Sequence, residues 1–118
     1  IYVRMGAHTL IHKRTEDDIW KNLFELPLVE TEKDLSEEEF LACPQFHALF
    51  AEGEVRMVRT LLRGVKHVLS HRVIYTNFYE VTLPDNSSSF SSYQRVAVED
   101  LDRYAVPRLI HAFLEKYV

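Results

Sequence analysis

The sequence predicts an α/β domain of the α+β kind, a mixed β-sheet packed between helices, with residues 1–118 forming a single unit. Three observations carry this. β-Like runs stand before and after a central helix signal, and an amphipathic helix closes the chain, an order that suits helices laid against a mixed sheet. The length of 118 residues is enough for one real core and too little for two. A composition of 47% hydrophobic and 27% charged residues is that of an ordinary globular domain.

Taken in order, IYVRMGAHTLIHKR alternates as a strand ending near Arg14, and TEDD makes a polar turn. IWKNLFELPLVE is a second β-like run with Pro27 at its edge or end. Ser36 followed by Glu39 is a capping-box signature, so LSEEEFLACPQF starts a helix that Pro44 interrupts or restarts. Phe46, Leu49 and Phe50 then share one face of a short second helical piece. EVRMVRTLLRG and HRVIYTNFYEVTL are two further strands, the second the longest. Val73, Tyr75, Tyr79 and Val81 on one face and Ile74 and Phe78 on the other make it a central strand buried on both sides. PDNSSSFSSY is a loop too polar to pack, QRVAV a strand, and EDLDRYA a turn or short helix. Pro107 suits the first residue of the closing helix, whose core face is Leu109, Ile110, Phe113, Leu114 and Tyr117.

No apolar run approaches the roughly 18 residues that span a bilayer, and the start has no signal-peptide layout, so no membrane partner and a cytosolic setting are expected. The chain begins at Ile1 inside a β-like run, which suggests a fragment of a longer protein. The single cysteine, Cys43, has no partner for a disulfide or a metal cluster and reads as a small apolar side chain. The net charge of −4 is unevenly spread. Residues 1–14 carry +3, residues 15–54 carry −10, residues 55–75 carry +5 with no acid, and residues 76–118 carry −2. One positive surface facing an anionic partner explains that asymmetry; basic edge protection of a sheet explains part of it too.

The stretch KHVLSHRVIY, residues 66–75, concentrates the chemistry. Ser70 and His71, as neighbours on a strand, point to opposite faces and form no dyad. A base from elsewhere (His8, His12, His47 or His111) stays open, but no nucleophile-elbow pattern surrounds the serine. His67 and His71 on a strand lie about 13 Å apart, too far for one metal without a bend, and no third ligand has a recognisable spacing.

The order of strand, loop, helix and strand resembles the Nudix hydrolases, whose activity needs a glycine-led helix with an REXXEE motif to hold magnesium. The equivalent LVETEKDLSEEEFLACPQF has no glycine and no Arg-Glu pair. Its consecutive Glu37, Glu38 and Glu39 fan around a helix instead of converging on a cation, and they suit the positive end of the helix dipole. A Nudix-like domain that does not hydrolyse nucleotides is therefore expected.

A closer resemblance follows. IWKNLFELP is similar to the I-W-x-G-L-W-E-F-P strand in the C-terminal domain of MutY-type adenine DNA glycosylases. KHVLSHRVIYTNFYEV resembles that domain's H-x-F-S-H-F-x-L strand, and EDLDRYAVPRLIHAFLEKY its E-L-x-x-Y-A-L-P closing segment. Together they cover nearly the whole chain in the same order. The departures are Asn22 for glycine, Phe24 for tryptophan and Leu69 for the phenylalanine of F-S-H.

The resemblance implies a domain that recognises 8-oxoguanine opposite a misincorporated adenine, with Leu69, Ser70 and His71 meeting the oxidised base. The oxidised base offers a donor at N7 where guanine has an acceptor, and a new carbonyl at C8. A serine hydroxyl accepts from the first while a nearby amide donates to the second. Leu69 would wedge against bases without an aromatic ring's stacking. Lys66, Arg72, Arg56 and Arg14 are the candidate phosphate contacts. Also by resemblance, excision belongs to an N-terminal helical domain absent here, with an acidic pair and a four-cysteine iron-sulfur cluster, so no cofactor, metal or catalytic residue is expected in this chain. The implied partners are that domain and double-stranded DNA carrying 8-oxoguanine:adenine, in a bacterial-type cytoplasm at the nucleoid. The alternatives are a Nudix-family nucleotide hydrolase and a protein-interaction module using the acidic 15–54 face.

Overall fold

Gly6 divides the first predicted strand. In the computed structural model, which describes residues 1–15, 22–51, 53–68, 72–90 and 92–117, this glycine has a φ of 60°, a left-handed conformation that glycine adopts without a Cβ penalty. Met5 and His8 close the turn with reciprocal backbone hydrogen bonds of 2.9 and 3.0 Å. The expected single strand is thus two, β1 (Tyr2–Arg4) and β2 (His8–Lys13), which enter different sheets.

The second predicted strand is shortened. Residues 19–21 of it lie outside the described residues, and only β3 (Phe24–Glu25) pairs, antiparallel to β2. Leu26 and Pro27 follow as buried but unpaired chain, as expected where a proline has no N–H for a ladder. The other long strands are β4 (Met57–Val68) and β5 (Val73–Thr82), followed by β6 (Gln94–Ala97). β4 does not stop at Gly64 as its sequence suggests. It absorbs that residue, at φ 66°, with register shifts between Thr60 and Leu62 and between Leu62 and Val65. At 12 residues against 10, β4 and not β5 is the longest strand.

Among the described residues the strands form two sheets rather than one. The first, in order β1-β5-β4, is mixed, with β1 parallel and β4 antiparallel to the central β5. The second, β3-β2-β6, is antiparallel throughout. Side chains alternate across the first sheet with the two-residue period of a strand, and each face has its own core. Val3, Tyr79 and Val81 join Phe40 and Phe46 from helices α1 (Glu37–Ala42) and α2 (Pro44–Leu49). Tyr2 and Phe78 face the other way, toward Phe113 of α3 (Arg108–Tyr117). The mixed sheet is therefore packed between helices, as the sequence predicts.

The helix boundaries follow their signals. Ser36 caps α1 through its hydroxyl, which accepts from the Glu39 N–H at 3.1 Å, while the Glu39 carboxylate accepts from the Ser36 N–H at 3.0 Å. Pro44 restarts the chain as the first residue of α2, where its missing N–H costs nothing. Cys43, between the two helices, is half-buried against the first core. Pro107 immediately precedes α3 and its carbonyl accepts from the His111 N–H at 2.9 Å. On α3, Phe113 stacks on Phe78 at 4.2 Å and meets Tyr2 edge-on at 5.9 Å. Such aromatic pairs add about 0.5–1.5 kcal/mol each beyond area burial.

The serine-rich loop does pack, contrary to its polar composition. Ser89 is buried and its hydroxyl accepts from the Ala51 N–H at 2.8 Å. Phe90 lies edge-on to Phe50 and Tyr93 at 5.1 and 5.0 Å. A 3-10 turn at Val98–Arg103 then leads toward α3. Among the described residues no helix is long and apolar enough to cross a membrane.

Candidate nucleic-acid interface

The described residues on either side of Leu69, Ser70 and His71 in the KHVLSHRVIY stretch belong to a β-hairpin. β4 ends at Val68 and β5 begins at Val73, and these two residues are register partners. The chain therefore reverses between Val68 and Val73. Leu69, Ser70 and His71 themselves lie outside the described residues.

Their flanks are well defined. Lys66 lies opposite Tyr75 and Val68 opposite Val73, and the two-residue period puts all four side chains on one face of the hairpin. His67, opposite Ile74, takes the other face. Lys66 and Arg72 are both exposed. Val68, Val73 and Tyr75 are 66%, 44% and 67% exposed, so the outer part of β5 is not buried on both sides as the sequence suggests. Burial on both faces begins only at Phe78 and Tyr79. The hairpin thus projects past the core, with no Asp or Glu anywhere between residues 55 and 79.

A polar clasp holds the base of this projection. Gly64 sits in the irregular part of the ladder, and its N–H donates to Asn77 Oδ1 at 2.8 Å. Asn77 Nδ2 in turn donates to Asp34 Oδ1 at 2.9 Å. Arg63 Nη2 donates to Asp34 and to the Leu35 carbonyl at 3.2 and 2.9 Å, and its Nη1 to the Tyr79 hydroxyl at 3.1 Å. Burial pushes the Tyr79 phenol up from its ordinary range, and the neighbouring guanidinium offsets part of that rise. The segment before α1 is thereby tied to both strands of the hairpin.

The remaining candidate phosphate contacts lie elsewhere. Arg56 is exposed, but it precedes Met57 at the opposite end of β4, where its N–H donates to the Thr82 carbonyl at 2.8 Å. At about 3.3 Å per residue the strand between Arg56 and Lys66 spans roughly 30 Å, so the two do not share a patch. Arg14 is largely buried, and its Nη1 donates to Glu25 Oε2 at 2.8 Å. The other oxygen of Glu25 meets His12 Nε2 at 2.7 Å. Of the four basic candidates, the structure brings only Lys66 and Arg72 to the hairpin end.

The Glu25 cluster is a feature the sequence reading missed. With Leu28, Glu30 and Tyr93 it lines a cavity of about 490 Å³, and the His12 ring lies 4.4 Å from that of Tyr93. His12 is the register partner of Glu25, and Arg14, just past the end of β2, reaches the same carboxylate; no signal in the sequence reports the β2–β3 register that joins them. A second cavity of about 700 Å³ lies between β2, β6 and α3, with His8, Asp102, His111 and Glu115 on its walls. Of the distant histidines considered as bases, His12 is paired with Glu25 and His111 with Glu115 at 2.9 Å.

The acidic helix does not fit magnesium. Glu39 is held by the capping box, which keeps its carboxyl below the usual range, chiefly through the Ser36 backbone N–H and then its hydroxyl. Glu37 and Glu38 are consecutive on a six-residue helix and diverge by about 100° around it. Among the described residues no three His, Cys, Asp or Glu side chains are grouped to hold a metal ion.

Comparison with known proteins adds one finding of kinship. A family model described as a NUDIX domain matches residues 1–116. No curated protein matches the chain.

Proposed function

The chain belongs to the NUDIX domain family, and on that premise we propose that it is a lesion-recognition module and not a nucleotide hydrolase: the part of a MutY-type adenine DNA glycosylase that meets 8-oxoguanine paired with adenine. The observation that carries this reading is the projecting β4–β5 hairpin. Its described end carries exposed Lys66 and Arg72, in a stretch without an acid from residue 55 to 79, and Leu69, Ser70 and His71 fall between them in the sequence. Such an end suits the negative potential of a DNA backbone. The misfit of the glutamate run to magnesium supports the same choice.

In this reading Ser70 probes the N7 side of the damaged guanine, Leu69 presses against the base and His71 completes the loop. Lys66 and Arg72 hold phosphates, which positions the domain without specifying sequence. Arg14 is occupied by Glu25 and Arg56 stands at the wrong end of β4, so neither is retained as a phosphate contact. Base excision, its acidic catalytic pair and its iron-sulfur cluster belong to a separate N-terminal domain of the parent protein, working on DNA in a bacterial-type cytoplasm.

The test is Ser70→Ala in the full-length glycosylase, comparing adenine release opposite 8-oxoguanine with release opposite guanine. The preference should shrink by a factor corresponding to about 1–3 kcal/mol, the cost of an unsatisfied polar group. An unchanged ratio would count against Ser70 as the reader. Adenine release by the 118-residue chain alone would overturn the division of labour, and magnesium-dependent turnover of oxidised dGTP would favour a hydrolase instead.

A further inference from the structure

The outer face of the hairpin carries an arrangement that lesion reading by residues 69–71 does not use. Tyr75, Val68 and Val73 are large apolar side chains standing 67%, 66% and 44% exposed on one face, at adjacent register positions. Apolar side chains grouped in this way on a projecting element mark a contact surface more often than a solvated one. The charges beside them are both positive: Lys66 directly across from Tyr75, and Arg72 next to Val73. The nearest acid along the hairpin, Glu80, lies inward of the core boundary and pairs with Arg59 at 3.2 Å.

An apolar protein partner is poorly matched by a flat aromatic ring with cations beside it, and the acid nearest this face, Asp34 at the clasp, is paired with Arg63 at 3.2 Å. Unstacked nucleic acid is well matched. Bases offer flat apolar faces for a tyrosine ring, and the phosphates on either side meet the two cations. Apolar side chains also enter between base steps when a duplex is opened locally.

We propose that Tyr75, backed by Val68 and Val73, is a base-stacking wedge that seats the hairpin on DNA opened beside the lesion, with Lys66 and Arg72 on the adjoining phosphates. The proposal rests on the reading of the hairpin end as a DNA contact, but it assigns affinity to the strand face and discrimination to the loop. The Val68–Val73 pair is the last register position of the hairpin, and Tyr75 stands two residues inward of it.

The two roles separate in one set of titrations of the 118-residue chain, by fluorescence anisotropy, against duplexes containing 8-oxoguanine:adenine and guanine:adenine. Tyr75→Ala should weaken binding to both duplexes by about tenfold and leave the salt dependence unchanged, because stacking does not depend on which base is present. Tyr75→Phe should retain the affinity. Lys66→Ala should lower the slope of log affinity against log salt by about one. Ser70→Ala should change only the ratio between the two duplexes. If Tyr75→Ala binds both as well as the parent chain while Ser70→Ala narrows the ratio, the wedge is wrong and the lesion reading stands. If Tyr75→Ala weakens binding while Ser70→Ala leaves the ratio intact, the wedge stands and lesion reading by Ser70 fails. A Tyr75→Ala variant that keeps its DNA affinity but alters sedimentation would make this face a contact between copies of the chain and overturn the proposal. Should that variant fold poorly, Tyr75→Trp serves in its place: indole emission quenched on adding DNA supports stacking, and emission unmoved at saturation refutes it.

Discussion

Replacing Asn77 by alanine tests whether the hairpin is held by the clasp at its base. The substitution removes the acceptor for the Gly64 N–H and the donor to Asp34, two hydrogen bonds of 2.8 and 2.9 Å. A typical intramolecular hydrogen bond contributes about 0.5–1.5 kcal/mol net. Both lie at an exposed site where water replaces part of the loss, so the low end applies, and the total should be about 1–2 kcal/mol. The Asp34–Arg63 pair remains, but as an exposed ion pair it is worth only about 0–1 kcal/mol and will not compensate. Urea unfolding should show a lower midpoint at unchanged slope, and amide exchange at Gly64 should accelerate. Asn77→Asp sharpens the test. It keeps an acceptor for Gly64 yet sets a second carboxylate against Asp34, so it should be at least as destabilising as alanine. A loss below about 0.5 kcal/mol with unchanged exchange at Gly64 would refute the reasoning, since that outcome leaves the bond within the range of ordinary surface substitutions.

Other perturbations follow from the same geometry. Ser36→Ala should cost about 1 kcal/mol through loss of the α1 cap. It should also raise the Glu39 pKa toward its ordinary value of 4.5, read by carboxyl NMR titration. Because the folded state lowers that pKa, the carboxylate's contribution is present above the unfolded value and is lost as pH falls through the folded one. The acid limb of the stability curve should therefore be shallower in the variant. Phe113→Ala, which removes the ring stacked on Phe78 and edged by Tyr2, should lose about 3–5 kcal/mol in urea unfolding. Gly64→Ala should cost about 1–2 kcal/mol from its left-handed φ alone, since a Cβ there meets nothing within 4 Å. Gly6→Ala should cost more by thermal unfolding, because its Cβ would also stand 2.9 Å from Asp85 Oδ1.

The parts of the fold legible in the sequence are those set by local chemistry. The capping box at Ser36, the proline that opens α2 and the apolar stripe of α3 are each decided within a few residues, and each lies where its signal placed it. The misreadings arise where tertiary pairing decides. IYVRMGAHTLIHKR reads as one strand, but β1 is claimed by a neighbour 78 residues away, and that separates it from β2. Gly64 looked like a terminator, yet the Asn77 side chain supplies the acceptor its N–H needs and lets β4 continue. Alternation along β5 correctly sorted its two faces but could not report how far the strand outruns the core. At the candidate interface, the basic run was visible in the sequence while its division was not. Folding turns Arg14 inward to Glu25 and carries Arg56 to the far end of β4, and no spacing rule reports either.

The pairing of β1 with β5 also governs the order of assembly. Tyr2 lies beside Glu80 and Val3 beside Val81, a sequence separation of 78 residues, whereas β4 and β5 are joined by a short connection. Closing a long loop carries an entropic penalty that a hairpin largely escapes, and non-local parallel pairing slows folding. As the chain leaves the ribosome, Tyr2 and Val3 emerge well before β5 and stay exposed until that strand has been made and the hairpin has closed. The β4–β5 hairpin is therefore an early structure, and the sheet at its base is completed last, by a strand made before it.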